Sequence, residues 1–222
     1  MKQVLFLLVV LASSAAQAQH TTVVSAKSDF VRVKTPLNAA APVGENLFAQ
    51  PGWGVGRGKE GFFVKTPAYY EVQPSRPNAW CLIPVRHDLN GGDFDLRVTL
   101  LPGDDGRTPS AGLLLSADTS HIPQNSRYIA LTINDSGQFV FEHVDQGTSQ
   151  FLVKGGSSHV RPTAANELRL ERRDFTIRAY VNGQVVANET FRRLGGKTVF
   201  VGVTTDEKAR FSNLLISSKS RN

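Results

Sequence analysis

The chain has 222 residues, one cysteine and a formal net charge of +6. A lone cysteine excludes an intramolecular disulfide framework, and no segment offers the ~20 consecutive apolar residues of a spanning helix. The positive balance suits polyanionic surfaces, but no nucleic-acid motif accompanies it, so specific nucleic-acid recognition is not expected.

Residues 1–18 carry the three parts of a secretory signal peptide. Lys2 lies in a short positive start, an apolar run covers 4–12, and Ala16-Gln17-Ala18 supplies a small-x-small cleavage sequence. Cleavage after Ala18 leaves a secreted or periplasmic chain of charge +5, because Lys2 is the only charge removed. No cysteine sits at the cut, which argues against lipid anchoring. Residues 19–44 are small and polar, with Pro36 and Pro42, and read as a lead-in or one edge strand.

From Glu45 onward, strand and turn signals alternate without a linker or a repeat. Residues 45–217 therefore read as one domain, with 218–222 as a tail. Phe62-Phe63-Val64 and Tyr69-Tyr70-Glu71-Val72 flank a Thr66-Pro67 break. Trp80 opens a strand in which Cys81 alternates with Ile83 and Val85. Cys81 thus reads as a buried small hydrophobe, since no base beside it would make a thiolate. In 94–100, Phe94, Leu96, Val98 and Leu100 share one face and Asp95, Arg97 and Thr99 the other.

Further strands are expected at 111–116, 127–133, 138–144 and 150–153. The closing fifty residues hold five more, at 167–171, 175–181, 184–187, 198–203 and 209–216. Asn182-Gly183 joins two of them, and this dipeptide between alternating runs is the strongest short-range hairpin signal. Proline and glycine interrupt every long helical window. The fold class is therefore all-β, a two-sheet antiparallel β-sandwich of roughly a dozen strands.

Three segments resemble the concanavalin A-like lectin/glucanase jelly roll. They are Gly92-Asp-Phe-Asp-Leu-Arg-Val98, Ser110-Ala-Gly-Leu-Leu-Leu115, and the closing set that runs from Asn166-Glu-Leu-Arg-Leu170 to Phe211-Ser-Asn-Leu-Leu-Ile216. The closing order is similar to the end of secreted bacterial domains related to the 3-keto-disaccharide hydrolase family, and laminin-G-like modules end in a similar way. The resemblance spans residues 45–217. It implies a jelly roll and a poly- or oligosaccharide partner. Jelly-roll glucanases of this kind carry two glutamates flanking an aspartate on one short strand, and no Glu-x-Asp-x-x-Glu run exists here. Retaining glucanase chemistry, which needs two close carboxyl groups, is therefore not expected.

The candidate carbohydrate-binding residues are Trp80, Tyr128, Arg97, Asp95 and His143. Trp80, Tyr69 and Tyr70 lie on neighbouring strands, where flat aromatics either stack on sugar rings or fill the core. Tyr128 and Thr132 oppose Ile129, Leu131 and Ile133 and should face away from the core. Glu142 and Asp95 are the only acids singled out for general acid–base work. Glu142 and His143 are sequence neighbours and must point to opposite faces. A solvent-exposed Glu142 is the plainer reading.

Oxygen-rich loops around Asp88, Asp93, Asp104, Asp105, Asp118 and His121 could take calcium, though none has a defined calcium-loop spacing and ordinary turn chemistry explains them. The five histidines show no zinc spacing, and no metal or other cofactor is expected. Asn134-Asp-Ser136 and Asn188-Glu-Thr190 match the glycosylation acceptor pattern. The function expected is a secreted, non-catalytic carbohydrate-binding module. The alternatives are a glycoside hydrolase of the 3-keto-disaccharide type and a structural or adhesive envelope protein using its arginine-rich second half. The sequence leaves the glycan and the oligomeric state open.

Overall fold

The computed structural model describes residues 45–219, apart from 52, 59–60, 77–79, 88–92, 117–126, 146–147, 157 and 192–198. The signal peptide, the lead-in, and the loop positions Asp88, Asp118 and His121 lie outside the described residues. Those described form fifteen strands. In chain order they are β1 (Glu45–Asn46), β2 (Gly56–Arg57), β3 (Gly61–Lys65), β4 (Tyr70–Pro74), β5 (Cys81–His87), β6 (Asp93–Leu101), β7 (Ala111–Ser116) and β8 (Tyr128–Ile133). There follow β9 (Gln138–Asp145), β10 (Thr148–Gly156), β11 (Asn166–Arg173), β12 (Thr176–Val181), β13 (Gln184–Thr190), β14 (Val199–Thr205) and β15 (Ala209–Lys219). One 3-10 turn, Leu47–Ala49, follows β1.

The strands make two antiparallel sheets, as the alternation predicts. The larger has the order β13-β12-β11-β6-β15-β4-β3-β2, with β1 also paired to β15. The smaller has the order β10-β9-β8-β7-β14-β5. One core lies between them. From β6 it takes Phe94, Leu96, Val98 and Leu100, and from the smaller sheet Leu113, Leu115, Ile129, Leu131, Phe141, Val201 and Val203. Each such side chain contributes roughly 1.5–3 kcal/mol on burial. Cys81 and Ile83 belong to this core, so the small-hydrophobe reading of the cysteine holds.

Local chemistry fixes two close approaches. At the β12–β13 turn, Asn182 (φ 49°) and Gly183 (φ 81°) are both left-handed, as a two-residue hairpin of the primed type requires. In β7, a side chain at Gly112 would begin 1.9 Å from the Leu131 carbonyl oxygen. Only glycine lets β7 and β8 lie together at that point.

β15 is irregular. Its register against β6 shifts between Ser212 and Leu215, and Asn213 is left-handed at φ 52°. Its opposite edge pairs with β4 through residues 209–211 and with β1 through Leu215 and Ile216. A notch opens where it passes from one neighbour to the other.

Candidate functional site

The structure does not gather the expected site residues into one groove. Asp95 and Arg97 lie on the outer face of the larger sheet. Tyr128 lies on the outer face of the smaller one, in a cluster with Leu114, Ala130 and Val144 that is separate from the core, and Glu142 pairs with Ala130 on that face. Asp95 and Arg97 therefore share no groove with Tyr128: two sheets and the core separate them. Trp80 is half-buried and stands just before β5. Tyr128 faces away from the core as expected, yet it is only 7% exposed, and burial, aided by the charge of Glu142, pushes its phenol up.

Glu142 and His143 do point to opposite sides. Glu142 is half-buried rather than exposed. Burial raises its carboxyl above the ordinary range, against the pull of a hydrogen bond that Ser149 Oγ donates to Oε2 at 2.7 Å. His143 sits edge-on to Phe191 at 5.4 Å, and burial lowers its imidazole while the Asp145 charge opposes that shift. As a pair of acids, Glu142 and Asp95 cannot act on one bond, because they stand on opposite outer faces.

Asp95 is part of an ionic lattice. Arg97 donates to it twice, Nε to Oδ1 at 2.7 Å and Nη2 to Oδ2 at 3.1 Å. Arg169 Nη2 reaches Oδ2 at 2.5 Å. Burial alone would raise the Asp95 carboxyl, but the hydrogen bonds and charges of Arg97 and Arg169 outweigh it and hold the group below its usual range. A carboxyl held ionised in this way is a poor proton donor. Arg169 lies over the Tyr180 ring at 4.5 Å, and Tyr180 Oη donates to Glu171 Oε2 at 2.6 Å. Arg173 closes the set on Glu171 Oε1.

The notch beside β15 forms a cavity of about 530 Å³. Tyr69, Pro67, Val55, Lys65, Asn46 and Asn213 are among the residues that line it. Each wall has a local cause. Thr66 Oγ1 accepts from the Ala68 and Tyr69 amides at 3.2 and 3.0 Å, which turns the chain between β3 and β4 and presents Tyr69. Asn46 Oδ1 caps the 3-10 turn through the Phe48 amide at 3.1 Å. Lys65 Nζ donates to the Gln50 carbonyl at 3.1 Å. Asn213 is exposed, and Val55 is 69% exposed at this site.

Behind the pocket lies a buried, hydrogen-bonded aromatic cluster. Trp53 Nε1 donates to the Leu47 carbonyl at 2.7 Å and the Tyr70 hydroxyl to the Gly54 carbonyl at 3.0 Å. Phe48 stacks on Tyr70 at 5.4 Å and meets Trp53 edge-on at 4.7 Å. Of the three aromatics weighed for sugar stacking, Tyr70 is therefore core, while Tyr69 lines a cavity. Sequence reasoning missed Asn46, Lys65 and Asn213. The signal for the last was present: Phe211, Leu214 and Ile216 are all buried, and the odd step from 211 to 214 requires one extra residue.

Among the described residues no group of three or more His, Cys, Asp or Glu could hold a metal ion. Asp105 Oδ1 accepts from the Arg107 amide and Asp93 Oδ1 from the Asp174 amide. No helix among the described residues is long and apolar enough to cross a membrane.

No protein-family profile matches the sequence, and no curated protein matches it. Solved structures do share its architecture. The carbohydrate-binding module CBM66 from Bacillus subtilis superposes with a TM-score of 0.53 at 16% identity, over 71% of this chain and 92% of that one. The VIP36 exoplasmic/lumenal domain, solved bound to Ca2+ and Man3GlcNAc, gives 0.55 at 12%, over 73% and 83%. A functionally unknown protein from Saccharomyces cerevisiae gives 0.53 at 13%, over 78% and 99%. At these identities the shared property is the fold alone, a two-sheet antiparallel jelly-roll sandwich.

Proposed function

We propose that the protein is a secreted carbohydrate-binding module that holds a saccharide in the notch beside β15 and does not cleave it. The cavity is the observation that carries this reading. Its volume of about 530 Å³ falls within the roughly 300–1,000 Å³ of small-molecule sites. It joins an aromatic wall, Tyr69, to neutral hydrogen-bonding groups, Asn46, Ser212 and Asn213. A sugar ring needs the same pairing, an apolar surface for its C–H face and amides or hydroxyls for its rim. Two proteins with the same fold are a carbohydrate-binding module and a domain solved with a bound mannose-containing glycan. Arg97, half-buried and held by the buried Asp95, stands on β6, the strand next to β15, and adds a polar group for a longer chain.

The test is a glycan array of residues 19–222, read for binding with and without calcium and later for cleavage products. Binding without cleavage that Tyr69→Ala abolishes supports the reading. Binding that survives both Tyr69→Ala and Asn213→Ala moves the site elsewhere, with Trp80, Tyr128 and His143 of the smaller sheet next in line. Loss of binding in chelator adds calcium.

One observation favours hydrolysis as a second reading. Burial raises the Glu142 carboxyl, which is what a general acid needs. A glycoside hydrolase of the 3-keto-disaccharide type would then release products on the array, and Glu142→Gln would stop their release.

A further inference from the structure

Among the described residues that line the pocket beside β15, Lys65 is the one charged group, and none of the lining residues carries the opposite charge. Lys65 is exposed, and its ammonium reaches only a neutral acceptor, the Gln50 carbonyl at 3.1 Å. An ammonium carries three donors, so this contact leaves capacity for a ligand. No Asp or Glu stands among the described residues that line the cavity. The cations nearby are different. Arg210, whose guanidinium lies 5.3 Å from the Tyr69 ring centre, and Lys208 are both engaged by Glu71 and Asp104. Two cations and two carboxylates balance behind the Tyr69 wall, while Lys65 stands unbalanced on the cavity itself.

Resting on the carbohydrate-binding reading, we propose that this pocket selects an acidic sugar residue, with the ring carboxylate of a uronate on Lys65 and the sugar ring beside Tyr69. The neutral amides of Asn46 and Asn213 add hydroxyl recognition without competing for the carboxylate. The net charge of the mature chain, +5, favours the approach of an acidic polymer over long range. The short contact at Lys65 makes the choice.

Oligogalacturonate and its methyl ester share the sugar backbone and differ in that charge and one methyl group per residue, and titrating both against the mature chain tests the proposal. The acid form is expected to bind about threefold to tenfold more tightly, the span of an exposed to a partly desolvated charge-assisted contact. Lys65→Gln should erase the preference, Lys65→Arg should keep it, and added salt should shrink it. Tyr69→Ala should weaken both forms alike. Equal affinities for acid and ester, or a preference that survives Lys65→Gln, overturns this proposal. If other neutral glycans on the array then bind through Tyr69, the carbohydrate reading survives without it. If no glycan of either kind binds, both readings fall together.

Discussion

Arg169 and Arg97 sit directly opposite one another on adjacent strands of the larger sheet, and Asp95 bridges the two guanidinium groups. Like charges facing across a sheet destabilise it, so the carboxylate is what makes this pairing tolerable. Asp95→Asn should cost about 1–3 kcal/mol, since it removes an ionised acceptor and unmasks the repulsion. Adding Arg97→Gln should recover part of the loss, and a double-mutant cycle by urea denaturation reads that coupling. The effect depends on pH in a fixed sense. The folded-state carboxyl is held below its unfolded range, so its stabilising effect is complete above the ordinary carboxylate range. It fades as the pH falls through the folded value. The gap between wild type and Asp95→Asn should therefore close in acid. A gap that stays constant down to the acid transition would contradict the bridging role.

Gly112 tests how closely β7 and β8 are packed. A β-carbon there would begin 1.9 Å from the Leu131 carbonyl oxygen, which is backbone and cannot swing aside. Gly112→Ala should destabilise by about 1–3 kcal/mol or more. Gly156→Ala is the control, because nothing lies within 4 Å of a β-carbon at that position. It should stay within about 0.5 kcal/mol of wild type. Comparable losses in the two variants would mean that glycine matters at 112 for another reason.

How far the sequence could be read follows from which interactions are local. Alternation assigned β6 its inner and outer residues one by one, because a strand buried on one face repeats every two residues. Asn182-Gly183 revealed its turn for the same reason: the backbone demand and the residue that meets it coincide. The pocket was not legible. Asn46, the Lys65–Tyr69 turn and Asn213 come from three separated stretches, and they meet only because β15 changes neighbours at a bulge. Whether Asp95 and Tyr128 share a face was also not legible, for a physical reason. Period two says that a residue faces away from the core, but not which of the two outer faces it reaches.

Asn182 does two jobs that separate variants can divide. It holds a left-handed backbone. Its side-chain oxygen also accepts from the Glu167 amide at 2.9 Å, and its Nδ2 donates to Asn166 Oδ1 at 2.8 Å. Asn166 is fully buried and in turn binds the Arg161 amide and carbonyl. Asn182→Gly keeps the turn and loses the side-chain bonds, for about 1–2 kcal/mol. Asn182→Ala loses both and should cost about 1 kcal/mol more, the usual penalty for a non-glycine residue without a polar side chain in this region. Chemical denaturation of the two variants gives the order directly. If alanine proved no worse than glycine, backbone strain would not be part of the role.

Glu142 runs opposite to Asp95. Burial raises its carboxyl in the folded state, so folding disfavours the charged form. The neutral acid folds without that cost below the unfolded carboxylate range, and the cost grows as the pH rises toward the folded value and then levels off. Glu142→Gln keeps the shape and an acceptor for the Ser149 hydroxyl, yet carries no charge to bury. The variant should therefore be more stable than wild type at neutral pH, and the two should converge as the acid is protonated. Melting temperatures across that range provide the comparison. A variant less stable at neutral pH would show that the Ser149 hydrogen bond to the ionised carboxylate outweighs the cost of burying it.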